Sequence, residues 1–239
     1  MKNSIERIYP ESIKDDEVLG RETLQLHLQR YHFAGKHLIK GRVADIACGV
    51  GYGSALLVND YGDGIESITA VDIDHDAISY AQLHYTHPKI NFVVSDGLQF
   101  YSTQDFQNII SLETIEHLPN PAAFVTHLSK QLQVGGHFIA SVPITPSMDA
   151  NPFHLQDFTD TSFRKMFSDA GFIEVVSMQQ LQPYSVSKIF LKKDKRVEDM
   201  RKNILGYYLK HPSKFLLRIR SLFTDGFSNK YMITVFKKL

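Results

Sequence analysis

Three acids, Asp45, Asp72 and Asp96, each lie at or beside the end of a short apolar run, and the first leads directly into glycines. That stretch reads Val43-Ala44-Asp45-Ile46-Ala47-Cys48-Gly49-Val50-Gly51-Tyr52-Gly53-Ser54. Glycines let a backbone turn sharply and approach a ligand closely. In an open α/β sheet such a turn lies at the carboxyl ends of the strands, where these folds bind ligands. Asp72 ends the next apolar run, 19 residues beyond Gly53, placed to accept hydrogen bonds from ribose hydroxyls. So far a dinucleotide would serve equally well. Asp45 separates the readings, because a carboxylate beside the turn repels a pyrophosphate and favours an ammonium or sulfonium centre. The pattern suits a nucleoside with a cationic tail and disfavours a nicotinamide oxidoreductase.

The elements that must carry these residues alternate. A loosely helical spacing of Leu24, Leu28, Tyr31 and Leu38 marks a helix over about 22–40. Strands are predicted at 43–48, 67–71, 90–94, 108–112, 138–142, 172–178 and 231–237. Helices are predicted from Tyr52 to Asn59, from the N-cap Asp74 to His84, from Pro121 to Leu132 with Gly135-Gly136 closing it, and from Thr159 to Ala170. Such alternation implies a parallel sheet covered on both faces. A basic, helix-prone stretch at 187–222, broken near His211-Pro212, interrupts the rhythm before the final strand.

On these residues the chain resembles the class I methyltransferases. The resemblance covers roughly residues 25–180. It is carried by Asp45 to Gly53, Val71-Asp72-Ile73-Asp74, Val94-Ser95-Asp96-Gly97 and Ser111-Leu112-Glu113-Thr114-Ile115-Glu116-His117-Leu118. It implies a Rossmann-like, mostly parallel seven-stranded sheet with an antiparallel final strand, and S-adenosylmethionine as cofactor. Asp72 would then hold the ribose, with Ile73 beside it. Asp96 would accept from the adenine amino group, with Gly97 and Leu98 beside the ring. Gly49 and Gly51, with Asp45 nearby, would serve the methionine end, Ala47, Tyr52 and Glu113 would also bind the cofactor, and Arg30 could pair with the methionine carboxylate or be a surface arginine with no such role. The expected organisation is one domain over 1–239: an N-terminal helical cover (1–40), a cofactor core (41–185), a basic helical insertion (186–225) and a last strand (226–239).

Methyl transfer from a sulfonium needs an aligned acceptor and, for some acceptors, a base. His117, after the fourth strand, titrates near neutrality and could serve, and so could His154 in the long loop after the fifth. Either could equally be a structural histidine. The run Asn151-Pro152-Phe153-His154, with Phe158-Thr159 beyond it, resembles a class I subgroup found among glycan-assembly proteins. That resemblance points to an O-methyltransferase acting on a sugar or another small hydroxylated acceptor. A small-molecule N-methyltransferase and a non-catalytic cofactor-binding partner subunit stay open beside it. No metal site is expected, because Asp149, Asn151 and Asp157 lack the aspartate and Asp-Asn arrangement of metal-dependent relatives and a lone cysteine makes no zinc site.

Composition agrees with a globular protein, with 43% hydrophobic and 22% charged residues. One cysteine, the lack of a signal-like apolar run and the lack of a span of ~20 apolar residues lead to the expectation of a soluble, cytoplasmic protein. The zero net charge hides a split of −10 over residues 1–185 and +10 over 186–239. The basic residues at 186–220 alternate with aromatic and aliphatic ones. They suit a membrane-surface helix or an anionic ligand, or a helical lid or homodimer arm with an apolar face on the body. Nucleic acid is not favoured, since no binding motif for it is present.

Overall fold

A computed structural model describes residues 7–13, 18–183, 200–226 and 228–239. Helix α1 (Val18–Lys36) precedes β1 (Gly41–Ile46), α2 (Tyr52–Tyr61), β2 (Ile65–Asp72), α3 (His75–His84) and β3 (Ile90–Val94). Then come β4 (Phe106–Leu112), α4 (Pro121–Ser129), β5 (Leu132–Pro143), α5 (Asp160–Asp169) and β6 (Phe172–Pro183). Helices α6 (Ile204–Lys210) and α7 (Pro212–Asp225) lead into β7 (Ser228–Lys238).

The seven strands lie in the order β3-β2-β1-β4-β5-β7-β6, with β7 antiparallel to both its neighbours. Chain order reverses between β1 and β4, which pair in parallel. This is the switch point at which a crevice opens beyond the strand ends. The sheet is covered on both faces because alternate side chains point to opposite sides. Ala44, Ile109, Phe138 and Phe236 join one cluster with Phe124, Phe163 and Phe167 of α4 and α5. Their neighbours Val43, Ile110, Ile139 and Val235 join another with Tyr31, Leu57 and Ile78 of α1, α2 and α3.

Two sequence expectations need correction. The glycine pair does not close α4. That helix stops at Ser129, and Gly135-Gly136 fall inside β5. There Gly135 takes φ +78°, and the pairing with β4 jumps from Phe106–Leu132 to Asn108–His137, so the pair forms an irregularity in the strand. One of the alternatives for the basic stretch, an apolar face laid on the body, does not hold for α7. In α7 the inward-turned positions are instead Lys214, Arg218, Ser221, Leu222 and Asp225, whereas Leu216 and Phe223 are 68% and 88% exposed. The break near His211 is where α6 ends and Pro212 begins α7, a position suited to proline because its missing N–H has no helical partner. Lys188, Lys192, Lys193, Lys195 and Arg196 lie outside the described residues.

Candidate functional site

The crevice at the switch point is an open pocket of about 350 Å³. Its floor comes from two strained turns. Ala47, just after β1, has φ 63°, and Glu113, just after β4, has φ 51°. Left-handed backbone at a non-glycine residue costs about 1–3 kcal/mol, and such strain gathers at binding and catalytic sites. Both residues line the pocket.

The glycine turn divides its work. Gly51 (φ +87°) could not carry a side chain, since a Cβ would come within 2.7 Å of Ala81 and 2.8 Å of Phe92. Gly53 leaves room for Tyr31, whose ring atoms lie 2.0 Å from the position its Cβ would take. Gly49 (φ +58°) is different. Its Cβ would meet no atom within 4 Å, so its bare backbone faces open pocket.

Asp72, at the end of β2, is 6% exposed and lines the pocket. It accepts from Gly49 N–H at 2.8 Å and from Asp74 N–H at 2.9 Å, which fixes the carboxylate against the turn. Arg7, from the N-terminal segment, pairs with it at 3.6 Å and with Asp74. Ile73, 70% exposed, and Leu118 offer apolar surface along the same pocket.

Asp45 lies beneath the pocket and is fully buried. Ser54 Oγ donates to it at 2.5 Å and the Tyr31 hydroxyl at 3.2 Å. Burial pushes its pKa up to about 6 against these hydrogen bonds, with nearby Asp72 adding to the rise. At neutral pH it is therefore mostly an ionised charge under the glycine turn. Burial also raises the Cys48 thiol well above its ordinary value, so it does not ionise at neutral pH and acts as packing.

Asp96, Gly97 and Leu98 sit away from the lining residues. Asp96 accepts from Leu98 N–H at 2.8 Å, and a Cβ at Gly97 would come within 2.9 Å of Ile46 and Phe124. Arg30, on α1, is 2% exposed and lines the pocket. It lies 3.7 Å from Glu113 Oε2 and 4.4 Å over the Tyr231 ring, and its buried Nε has no hydrogen-bond partner among the described residues. Glu113 is held by Ser141, whose hydroxyl donates to Oε1 at 2.8 Å.

Glu116 and His154 stand beside His117. Residues 115–117 form one 3-10 turn after β4, and His117 lines the pocket. Its ring meets that of His154 edge to face, centroids 4.7 Å apart. The Glu116 backbone carbonyl accepts from Leu155 N–H at 2.8 Å and Gln156 N–H at 3.1 Å, which ties this turn to the loop after β5. That loop is clamped from behind. Lys214 donates to Asp157 at 2.5 Å, and Arg218 and Tyr208 both bond Asp149. Asp149 and Asp157 thus fasten the basic helices to the loop.

The structure therefore gathers Arg30, Ala47, Gly49, Tyr52, Asp72, Ile73, Glu113 and His117 around one pocket, with His154 against His117. Asp45 and Gly51 lie behind its wall. The sequence reading missed Arg7, His27 and Tyr31. His27, Arg30 and Tyr31 recur at i, i+3 and i+4, a polar stripe that could have marked a pocket-facing helix surface. His27 meets the Tyr52 hydroxyl at 2.6 Å.

Comparison with known proteins agrees with this arrangement. Residues 44–140 match the family model described as Methyltransferase domain. The chain is similar to a probable S-adenosylmethionine-dependent methyltransferase of Mycobacterium tuberculosis, 24% identical over 173 residues, covering 65% of this chain. The aligned part spans 61% of that relative's length. The fold is similar to the crystal structure of BH2331 from Bacillus halodurans, with TM-score 0.66, 16% identity, and 88% and 98% of the two chains covered. It is also similar to the N-methyltransferase NodS of Bradyrhizobium japonicum in complex with S-adenosyl-L-homocysteine, with TM-score 0.57, 15% identity, and 94% and 89% covered. The matched stretch is thus a methyltransferase domain on a Rossmann-like sheet, similar to S-adenosylmethionine-dependent methyltransferases. Two features of the pocket fit that cofactor: the open face of Gly49 and the partnerless Nε of Arg30.

Proposed function

We propose that the protein transfers a methyl group from S-adenosylmethionine to a hydroxyl oxygen of a sugar or another small hydroxylated acceptor. The observation that carries this reading is the His117–His154 pair with Glu116, set where the donor pocket meets the loop after β5. S-adenosylmethionine supplies an electrophilic methyl: the acceptor oxygen's electron pair forms the O–C bond as the C–S pair leaves to sulfur. Asp72 holds the ribose, and Ile73 with Leu118 gives the base apolar surface. Asp96, with Gly97 and Leu98, serves the far edge of the ring. The Glu113–Arg30 pair matches the opposite charges of an amino-acid tail, ammonium to Glu113 and carboxylate to Arg30. Asp45 adds a buried negative charge beneath the cationic end. His117 and His154 serve the acceptor, which must shed its proton as it attacks. The Asn151-Pro152-Phe153-His154 segment, similar to that of glycan-assembly methyltransferases, supports a glycan-linked acceptor.

The outward face of α6 and α7 belongs to the same reading. Leu209, Leu216 and Phe223 are 77%, 68% and 88% exposed, and Lys202, Lys210 and Arg220 of the same segment are exposed as well. Apolar side chains flanked by cations suit the surface of an anionic membrane, where lipid-linked acceptors would lie. None of the described helices is long and apolar enough to cross a membrane.

Calorimetry with S-adenosylhomocysteine tests the donor assignment. Wild type should bind, and Asp72→Ala should weaken binding at least about tenfold, since a bond to a charged group contributes about 1.5–3 kcal/mol. Unchanged affinity would remove the ribose role, and no binding by wild type would remove the whole reading. Product NMR with hydroxylated acceptors should place the methyl on oxygen. A methyl found on nitrogen would overturn that part.

A further inference from the structure

We infer that Glu116, His117 and His154 hold a divalent transition-metal ion whose open coordination positions take the acceptor hydroxyl. One ligand atom from each residue lies within 4.8 Å of the other two, and His117 Nε2 is 4.0 Å from Glu116 Oε1. Atoms bound to one ion at about 2.1 Å sit roughly 3.0–3.4 Å apart, so the three close on a metal with shifts of about 1 Å or less. Two imidazoles and a carboxylate are the donor set of three-ligand catalytic sites for zinc and of open iron sites.

The surroundings hold these groups as a metal site requires. Ligating histidines fix their ring by donating the other nitrogen's proton to a neighbour. His117 Nδ1 lies 3.1 Å from the Phe153 carbonyl oxygen, which can only accept, so Nδ1–H donates to it and Nε2 is the nitrogen turned towards Glu116. His154 Nδ1 lies 2.7 Å from Ser147 Oγ, which can take the same role. A dication with one carboxylate and two neutral imidazoles leaves a net charge of +1 beside the pocket. That charge would lower the pKa of a bound hydroxyl, with the proton passing to solvent water. Asp149 and Asp157, the acids of the neighbouring loop, are engaged by Arg218, Tyr208 and Lys214.

The inference rests on the methyl-transfer reading for its chemistry, and its test separates the two. Chelator-treated full-length protein is titrated with Zn²⁺, Mn²⁺ and Co²⁺ alone, by calorimetry and, for Co²⁺, by visible absorption. Binding near one equivalent is expected, weakened at least about 100-fold in Glu116→Gln and in His154→Ala, since loss of an outer-shell partner alone costs 10–100-fold. S-adenosylhomocysteine affinity of His154→Ala should stay within about threefold of wild type, which also shows that the variant is folded. No binding of any of the three metals, or equal binding by wild type and both variants, overturns the site. Metal binding without S-adenosylhomocysteine binding keeps the site and removes the methyl-transfer reading.

Discussion

Among single residues, Asp45 shows how burial and ligand charge compete. Its folded pKa, about 6, lies above the ordinary 3.8, chiefly through desolvation. The folded state therefore holds this proton more tightly than the unfolded chain. The sign follows: stability from this group is full below pH 4 and is lost as pH rises towards 6 and above, by roughly 3 kcal/mol at about 1.4 per pKa unit. Asp45→Asn removes the titration. Denaturant unfolding at pH 4.5 and pH 7 should show the variant gaining on wild type as pH rises. A wild-type-to-variant difference independent of pH would refute the assignment. The same substitution should weaken S-adenosylhomocysteine binding at pH 7, where wild type carries the charge. Asp45 was legible in the sequence because its meaning depends only on the adjacent glycines. Arg7, His27 and Tyr31 were not, because they reach the pocket across the chain and nothing local records the contact. Nor was the Glu116, His117 and His154 cluster, which depends on a loop 37 residues further on folding back against one turn.

Elements were legible where a local signal sets their ends. Asp74 caps α3 through the N–H groups of Asp76 and Ala77, where the sequence placed a cap, and Thr159, read as the first residue of its helix, caps α5 in a capping box with Ser162. The glycine pair misled because glycine marks both helix ends and strand irregularities, and only the pairing with β4 decides between them. The basic stretch misled for a similar reason. In α7 the face that turns inward depends on Asp149 and Asp157, far earlier in the chain. This clamp makes a prediction at the level of elements. Asp149→Ala leaves the Arg218 guanidinium and the Tyr208 hydroxyl without their shared carboxylate. Removing one partner of a part-buried pair should lower stability by about 1–3 kcal/mol and loosen the loop that carries His154. Methyl transfer should fall at least tenfold while S-adenosylhomocysteine affinity holds, since Asp149 lies outside the donor pocket. Loss of donor affinity equal to the loss of turnover would show that the clamp acts on the whole fold.

Across the molecule, the charge split and the inverted helix become one property. The acids of the first 185 residues supply the partners for Lys214 and Arg218, and that engagement turns the polar stripe of α7 inward. With that stripe used, the apolar residues face outward, an arrangement that water alone would disfavour. An anionic bilayer satisfies both the exposed aliphatic side chains and the flanking cations. Each buried apolar side chain contributes about 1.5–3 kcal/mol and each nearby cation about 1 kcal/mol. Flotation with vesicles should therefore show binding to phosphatidylglycerol-containing membranes that weakens at high salt and is absent with neutral lipid. Leu216→Ser with Phe223→Ser should reduce it at least tenfold. Neither residue lines the donor pocket, so transfer to a water-soluble acceptor should be unchanged. If wild type and the double variant both stay with the buffer fraction, and sedimentation shows wild type as a dimer that the double variant dissolves, the outward face is an interface between two copies of the chain and the membrane reading falls.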